Sequence, residues 1–504
     1  MTAKKNGCKL VVLDPRYTKT AALADEYYPI RPGTDMAFFL ALMHVIISEK
    51  LYDQDYAAEK LFGLEQLSEH VKDYSPEWAA NECQIPAQDI RRIARELAAA
   101  ASTAIVYPGR RPSDYVNSTQ IRRSMAILNA LLGNWDRPGG LLAARQVGLS
   151  KPELPETPWY DDNPDDRADM GRAHMMFEEE GSFKHMRDAI IEEEPYPIKG
   201  WFVYKHNPLQ SEANRQRTLE MMGKLDFVLT VDIAMSDTAW MSDLVLPAPS
   251  YLERKDPVSA FLASSACSGV LTRNPIVPAM FESKPVFWIV KELANRLDLG
   301  EHFDFTIDDF RNAQLEKLPE VAMALKRDGV YNIVDHSHGI HEGKPFKTRS
   351  KKIELFSSRY KENGIDPMPV YSPPKRVPEN HFRMVVGRNA YITQSASTNN
   401  ALLWELQREN CLWLHPTPAE RLGIHHGDLV EVKSPAGKGR LKARVTEDTR
   451  PDTVYMDTGF GVISKGLSKI FGKGACIADV LEDPADEISG TMAMHETMVT
   501  VRKV

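Results

Sequence analysis

The residues best placed to do chemistry in this 504-residue chain stand at the ends of short apolar runs. Gly200-Trp-Phe-Val-Tyr204 gives way to Lys205-His206-Asn207-Pro208, where proline removes a backbone donor and ends a strand. Phe227-Val-Leu-Thr-Val231 stops at Asp232, and the polar turn Ser236-Asp237-Thr238 leads to a third run, Asp243-Leu-Val-Leu-Pro247. Between the first two runs, Arg215, Leu219 and Met222 recur at helical spacing until Gly223. Strand, helix, strand, strand describes a parallel sheet, whose ligands bind beyond the carboxyl ends of the strands. Lys205, Asn207, Asp232 and the turn would then converge on one crevice. There Lys205 would meet a phosphate, and Asp232 would accept from a ribose hydroxyl or a guanine edge. Polar strand ends are equally a general property of doubly wound sheets, so this stretch alone leaves both readings open.

The first 140 residues echo the pattern. Leu10-Val-Val-Leu13 ends in Asp14-Pro15-Arg16, and Thr18 to Ala24 suits a short helix. Pro29 and Pro32 stiffen a loop after which Asp35 is expected to cap a helix over Met36 to Ser48. Arg16 and Arg31 read equally as surface charges. Pro86 opens a helix with the apolar face Ile90, Ile93, Ala94 and Leu97. Thr103 to Val106 reads as a strand delivering Tyr107-Pro-Gly-Arg-Arg111, where an arginine beside glycine suits an anion, as it also suits plain solvent exposure. Thr119 to Leu132 is a helix ended by Gly133-Asn134 and the turn Arg137-Pro-Gly-Gly140.

The elements that must position these residues exceed one core, because a chain of this length divides into two to four domains. Hydrophobic content of 43% and charged content of 26% describe a globular chain, and no apolar run is long enough to cross a bilayer. A net charge of -8 excludes a general nucleic-acid binder, so any anion site is local. Cys8, Cys83, Cys267, Cys411 and Cys476 lie far apart with no C-x-x-C pair, which offers neither a zinc ribbon nor a cluster motif. Residues 141–197 are acidic and Pro-rich, with runs at 161–166 and 178–180, and read as a surface connection. His336, His338 and His341 are close enough for a metal, yet their polar surroundings suit an exposed loop. After Pro373-Pro374 and Pro378, short strands around Phe382–Val386, Val430–Lys433, Gly439–Val445 and Thr453–Met456 predict a small β-barrel with one short helix, Pro418 to Leu422.

Taken in order, Val12-Leu-Asp-Pro-Arg16, Pro29-Ile-Arg-Pro-Gly-Thr-Asp35, Leu128-Asn-Ala-Leu-Leu-Gly-Asn134 with Arg137-Pro-Gly-Gly140, His206-Asn-Pro208 and Asp243-Leu-Val-Leu-Pro247 resemble the molybdopterin oxidoreductases of the dimethyl sulfoxide reductase superfamily. His415-Pro-Thr-Pro-Ala419, Leu422-Gly-Ile424, Gly427-Asp-Leu-Val430 and Gly459-Phe-Gly461 resemble that superfamily's C-terminal cofactor-binding domain. Within it, Tyr107-Pro-Gly-Arg110 and Lys199-Gly-Trp-Phe-Val-Tyr204 are most similar to catalytic subunits of thiosulfate and polysulfide reductases.

The resemblance implies an α/β fold of two doubly wound nucleotide-binding lobes, residues 1–140 and 141–372, closed by a double-psi-type β-barrel over 373–504. It implies two molybdopterin guanine dinucleotides with molybdenum. Asp14, Arg16, Gly33 and Asp35 would hold one guanosine end; Lys205, Asn207, Asp232, Ser236, Asp237 and Asp243 would hold the other. Gly387, Arg388, Ser395 and Asn400 would lie near pterin or diphosphate, and Arg110 would bind a sulfur-oxyanion or polysulfide substrate. An iron–sulfur electron-transfer subunit, a membrane anchor subunit and a periplasmic location are further implications. The family's iron–sulfur cysteines and the segment carrying its molybdenum ligand have no counterpart here and are expected in a preceding region. Tyr107 stands where the family usually has histidine. The competing reading is a non-catalytic structural subunit or remnant of the same fold.

Overall fold

A computed structural model describes the chain except residues 1, 108, 110, 136, 138, 142–146, 154–166, 175–180, 265–266 and 334–344. The first lobe forms around a segment that is apolar on every side. In Asp35–Ser48 (α1), eleven of fourteen residues are buried, so the helix has no solvent face and must be wrapped. Pro76–Cys83 (α2), Ala87–Ala100 (α3) and Ser118–Leu131 (α4) wrap it, with Ile90, Ile93, Ile121, Met125 and Leu128 facing inward. Beside them Val11–Leu13 (β1) runs parallel to Glu26–Tyr28 (β2), with Val11 opposite Glu26 and Leu13 opposite Tyr28.

The strand expected over Thr103–Val106 does not form. Thr103 ends a short 3-10 turn, and the extended residues after it are held by side chains. Asn129 accepts from the Val106 N–H at 3.0 Å and donates to its carbonyl at 2.8 Å, while Asn134 donates to the Ala104 carbonyl at 2.6 Å. Two buried asparagines thus take the place of a neighbouring strand.

In the second lobe, Ser182 caps Phe183–Glu192 (α5), a helix unread within the acidic connection, whose flanking runs at 161–166 and 178–180 lie outside the described residues. Gly200–Tyr204 (β3), Phe227–Asp232 (β4) and Leu244–Pro247 (β5) make the parallel sheet read from the sequence, with Leu229 between Phe202 and Leu244. Arg215–Lys224 (α6) joins β3 to β4 and runs past Gly223 to Lys224. On one face α5 and α6 pack Ile190, Met221 and Met222 against Val203 and Val228. On the other, Val286–Arg296 (α7) sets Ile289 against Val231 and Ala248. Later the chain crosses back. Ile353–Glu354 pairs with Leu61–Phe62, and Leu355 and Met368 enter the first lobe's core, although the sequence division places them in the second unit.

The barrel closes with six strands: Phe382–Gly387 (β6), Cys411–Leu414 (β7), Leu429–Lys433 (β8), Lys438–Val445 (β9), Thr453–Asp457 (β10) and Met498–Lys503 (β11). Their order around the wall is β6, β10, β7, β9, β8, β11, with β6–β10 and β7–β9 parallel and the rest antiparallel. Alternate residues fill the interior: Phe382, Met384 and Val386; Leu412 and Leu414; Val430 and Val432; Leu441 and Ala443; Val454 and Met456; Val499 and Val501. Sequence reading missed β7 and β11. The single expected helix is Pro416–Arg421, and Gln394–Ser397 and Ala401–Leu406 (α8) add two more.

Carboxylates and an arginine lock the barrel to both lobes. Asp486 accepts from the Thr119 N–H at 3.0 Å and the Ser118 hydroxyl at 3.2 Å, holding the start of α4 where free N–H groups and the helix dipole favour an anion. Asp483 meets the fully buried guanidinium of Arg187 on α5 and accepts from Asn214 at 2.9 Å. Arg450 donates to the Pro29 carbonyl at 2.5 Å. Arg383 lies 2.8 Å from Glu496, with side chains 3% and 4% exposed, so neither charge is solvated. Arg383→Met would strand the Glu496 carboxylate and lower stability by roughly 3–5 kcal/mol in urea unfolding; a loss under about 1 kcal/mol would contradict the pairing.

Candidate functional site

At the first lobe's edge, β1 delivers Asp14, whose carboxylate accepts from the Arg16 N–H at 2.9 Å, while the Tyr27 hydroxyl donates to its carbonyl at 2.9 Å. Burial pushes the Asp14 carboxyl up. Asp35 is the first residue of α1 rather than its cap; Thr34 holds the cap position and turns its hydroxyl to the Arg31 carbonyl. Burial first, and then the Asp14 charge, raise the Asp35 carboxyl to about 6. Two carboxylates thus share one partly enclosed corner. Gly33, at φ +84°, turns the chain into it, and a Cβ there would lie 3.1 Å from Pro374 and 3.2 Å from the Tyr115 ring.

Arg16 points elsewhere than its expected guanosine role requires. Its guanidinium lies 3.8 Å above the Tyr455 ring and 5.1 Å from that of Trp413, and its backbone bridges to Thr449. It joins the first lobe to the barrel.

In the second lobe, Lys205 follows β3 with φ +56° and an exposed side chain. Asp232, at the end of β4, accepts from the Ile233 N–H and the Ser236 hydroxyl, both at 2.7 Å. Asn207 accepts from the Thr238 N–H at 3.2 Å and hydroxyl at 2.9 Å, tying the two strand ends together. Asp232 is thus joined to Ser236, and Asn207 to Thr238, beyond the strand ends. Asp237 does not face that crevice. It is fully buried, accepts from Gln210 at 2.6 Å, sits 3.4 Å from Arg215, and receives the Ile463 and Ser464 N–H groups of the barrel at 3.0 and 2.9 Å. Asp243 stands at the other end of the sheet. It accepts from the Val228 N–H at 2.7 Å, while Pro247 is the residue opposite Asp232, which places Asp243 about 13 Å from the crevice at strand rise.

From the barrel, β6 ends at Gly387, where a Cβ would lie 2.7 Å from the Tyr455 ring, and Arg388 is exposed beyond it. Ser395 lies against Gly459: a Cβ there would meet the Ser395 nitrogen at 3.0 Å. Asn400 caps α8, accepting from the Leu402 and Leu403 N–H groups. Both lobes reach this part of the barrel. Lys19 approaches the Tyr391 hydroxyl at 3.4 Å from the first, and the Met235 carbonyl of the second accepts from Ser464 at 2.6 Å. Arg110 and the three histidines at 336, 338 and 341 lie outside the described residues, and Tyr107 is 82% exposed. Sequence reading missed Asn129 and Asn134 as staples, although an asparagine interrupting the buried stripe Ile121, Met125, Leu128 was a visible signal. Arg215, Tyr455 and Asp457 are likewise unmarked in sequence because the contacts that tie them to other parts of the chain, with Asp479, Arg16 and Gln407, are remote.

Residues 1–296 match the model of the molybdopterin oxidoreductase family, and residues 382–498 match the "Molydopterin dinucleotide binding domain". The chain belongs to the molybdopterin oxidoreductase family. Its relatives include the thiosulfate reductase molybdopterin-containing subunit PhsA of Salmonella typhimurium, 32% identical over all of this chain and 71% of that protein. Dimethyl sulfoxide reductase DmsA of Escherichia coli is 26% identical over 99% of this chain and 68% of the relative. Among solved structures, acetylene hydratase from Pelobacter acetylenicus superimposes with a TM-score of 0.83 at 26% identity, covering 100% of this chain and 75% of that one.

Membership makes the protein a molybdenum-dependent oxidoreductase of the dimethyl sulfoxide reductase superfamily with a molybdopterin dinucleotide cofactor. The residues fit such a group. Asp14 and Asp35 offer acceptors to a base, exposed Lys205 and Arg388 offer charge to phosphates, and the buried Trp404 Nε1, Gln407 Oε1 and Thr458 Oγ1 have no partner.

Because the Asp35 carboxyl is raised, the folded chain holds its proton more tightly than the unfolded one. Its contribution is favourable below about pH 4 and is lost as pH rises through about 6. Asp35→Asn should therefore stabilise the ligand-free chain at pH 8 by about 2 kcal/mol and change little at pH 4. An equal effect at both pH values in urea unfolding would contradict the assigned environment.

Proposed function

We propose that this oxidoreductase reduces a small sulfur compound, thiosulfate, polysulfide or tetrathionate, in anaerobic respiration, using two molybdopterin guanine dinucleotides. The observation that carries the substrate class is the match of the whole chain to a thiosulfate reductase subunit. When bound, the cofactor supplies two-electron chemistry at molybdenum. The chain's own residues bind and orient. Asp14 and Asp35 accept from one guanine, Asp232 and Asn207 shape the seat of the other, and Lys205 and Arg388 offset phosphate charge. Asn129 and Asn134 staple the segment that leads to Arg110, which we assign to the anionic substrate.

Electrons would enter from an iron–sulfur subunit held to the membrane by an anchor subunit, on its periplasmic side. The likeness to acetylene hydratase supports a second reading, addition of water to an unsaturated substrate on the same cofactor.

One assay separates them. Enzyme purified anaerobically with its native partners is given reduced viologen and each of thiosulfate, polysulfide, tetrathionate and dimethyl sulfoxide, and separately acetylene. Dye oxidation with a sulfur anion is expected, and Arg110→Ala should slow it by about 10²-fold without lowering molybdenum content. Acetylene consumption without any dye oxidation would replace this reading with the second, and unchanged kinetics in Arg110→Ala would remove Arg110 from the site.

A further inference from the structure

Between β5 and α7 the chain leaves the second-lobe sheet and sets a run of apolar side chains in water. Residues 274–282 are all exposed, and within them Ile276-Val-Pro-Ala-Met-Phe281 is apolar throughout. Phe281 is 97% exposed and Ile276 76%. A run of this length stays outside the core only where it has something to meet. Its backbone is braced in advance. The Leu252 carbonyl accepts from the Ile276 and Val277 N–H groups at 2.9 and 3.3 Å. The Glu253 carboxylate accepts from those of Ser250 and Met280 at 2.7 and 2.8 Å, and the Ser283 hydroxyl donates to the Met280 carbonyl at 2.7 Å. Phe281 itself holds φ +55°, a conformation that bulky residues rarely adopt.

At either end of the run a cation lies over an exposed ring, Arg273 at 5.8 Å from the centre of Tyr251 and Lys284 at 5.5 Å from that of Trp288. Tyrosine, tryptophan, lysine and arginine, each with an apolar stem and a polar end, are the residues that settle at a membrane–water boundary. The neighbouring acids are engaged. Asp256 is shared by Arg254 and Arg273 at 2.8 and 2.7 Å, and Glu253 is turned to N–H groups, so the rim keeps positive charge for lipid phosphates, with Glu282 the exposed acid beside it. Pro275 and Pro278 carry no N–H, and those of Ile276, Val277 and Met280 are already bonded, so the run offers few backbone donors that would resist leaving water. That economy favours lipid over a polypeptide partner. We propose that this run enters the outer part of a lipid bilayer, with Ile276 and Phe281 among the acyl chains and Arg273 and Lys284 at the headgroup phosphates. The contact is separate from the anchor subunit assigned above and does not depend on the substrate class.

The full chain is floated with vesicles of phosphatidylcholine, alone and mixed with phosphatidylglycerol. The wild type is expected to float with both, and Ile276→Ser and Phe281→Ser each to weaken binding by about tenfold. Both side chains are exposed, so neither substitution should lower the urea-unfolding midpoint, which separates lost insertion from misfolding. Phe281→Trp should gain quenching by lipids brominated in their acyl chains, a signal that adsorption to headgroups alone would not give. Equal flotation of the wild type and both serine variants would overturn the proposal, as would a wild type that does not float. Self-association, or retention of a partner polypeptide, that occurs without flotation and is abolished by Phe281→Ser would assign the run to a protein contact instead.

Discussion

A buried carboxylate at a domain boundary needs partners on both sides of it, and Asp237 has them. It is fully buried in the second lobe, and two successive backbone N–H groups of the barrel, from Ile463 and Ser464, complete its bonding. Removing the barrel would expose those donors and leave Asp237 with only Gln210 and Arg215, so lobe and barrel have one stable relative position. Asp486 does the reverse from the barrel side, capping the first-lobe helix α4. The strand ends carrying Asp14 and Asp232 are placed relative to each other by these clamps, because both lobes are fastened to the barrel.

That division of labour accounts for several signatures. Asn129 and Asn134 hold an extended segment in place of a sheet neighbour, and Gly140 is required because a Cβ there would come within 2.1 Å of the Asn134 carbonyl oxygen. Arg16 stacks between lobe and barrel, and Tyr455 beneath it donates to Asp457, which orients Gln407. A contact made in the first lobe therefore reaches the Gln407 amide through three consecutive bonds or stacks.

Periodicity made the local elements legible. The Ile90, Ile93, Ala94 stripe, the apolar α1 and the three runs of the second-lobe sheet all appear as read, because each is determined by which face must leave water. What sequence could not show is direction over distance. Asp232 and Asp243 are both aspartates beside an apolar run, but one follows its strand and the other precedes it, so they lie at opposite ends of the sheet. Asp237 sits in a polar turn that looks like a ligand loop, yet its barrel partners are more than two hundred residues away. Thr103–Val106 has a strand's composition and no strand to pair with. β7 and β11 escaped notice because four and six residues of alternation, outside a barrel, resemble any exposed segment.

The proposed function requires the clamps to hold the two lobes and the barrel around guanine dinucleotides. It is tested most directly by acid release of guanosine monophosphate, with molybdenum analysis, from protein purified anaerobically from a host that makes the cofactor. About two guanosines for each molybdenum are expected in the wild type, with loss of both in parallel when Asp237→Ala opens the clamp. A folded wild-type protein that yields molybdenum without guanosine, or a clamp-opened variant that retains its full complement, would contradict it.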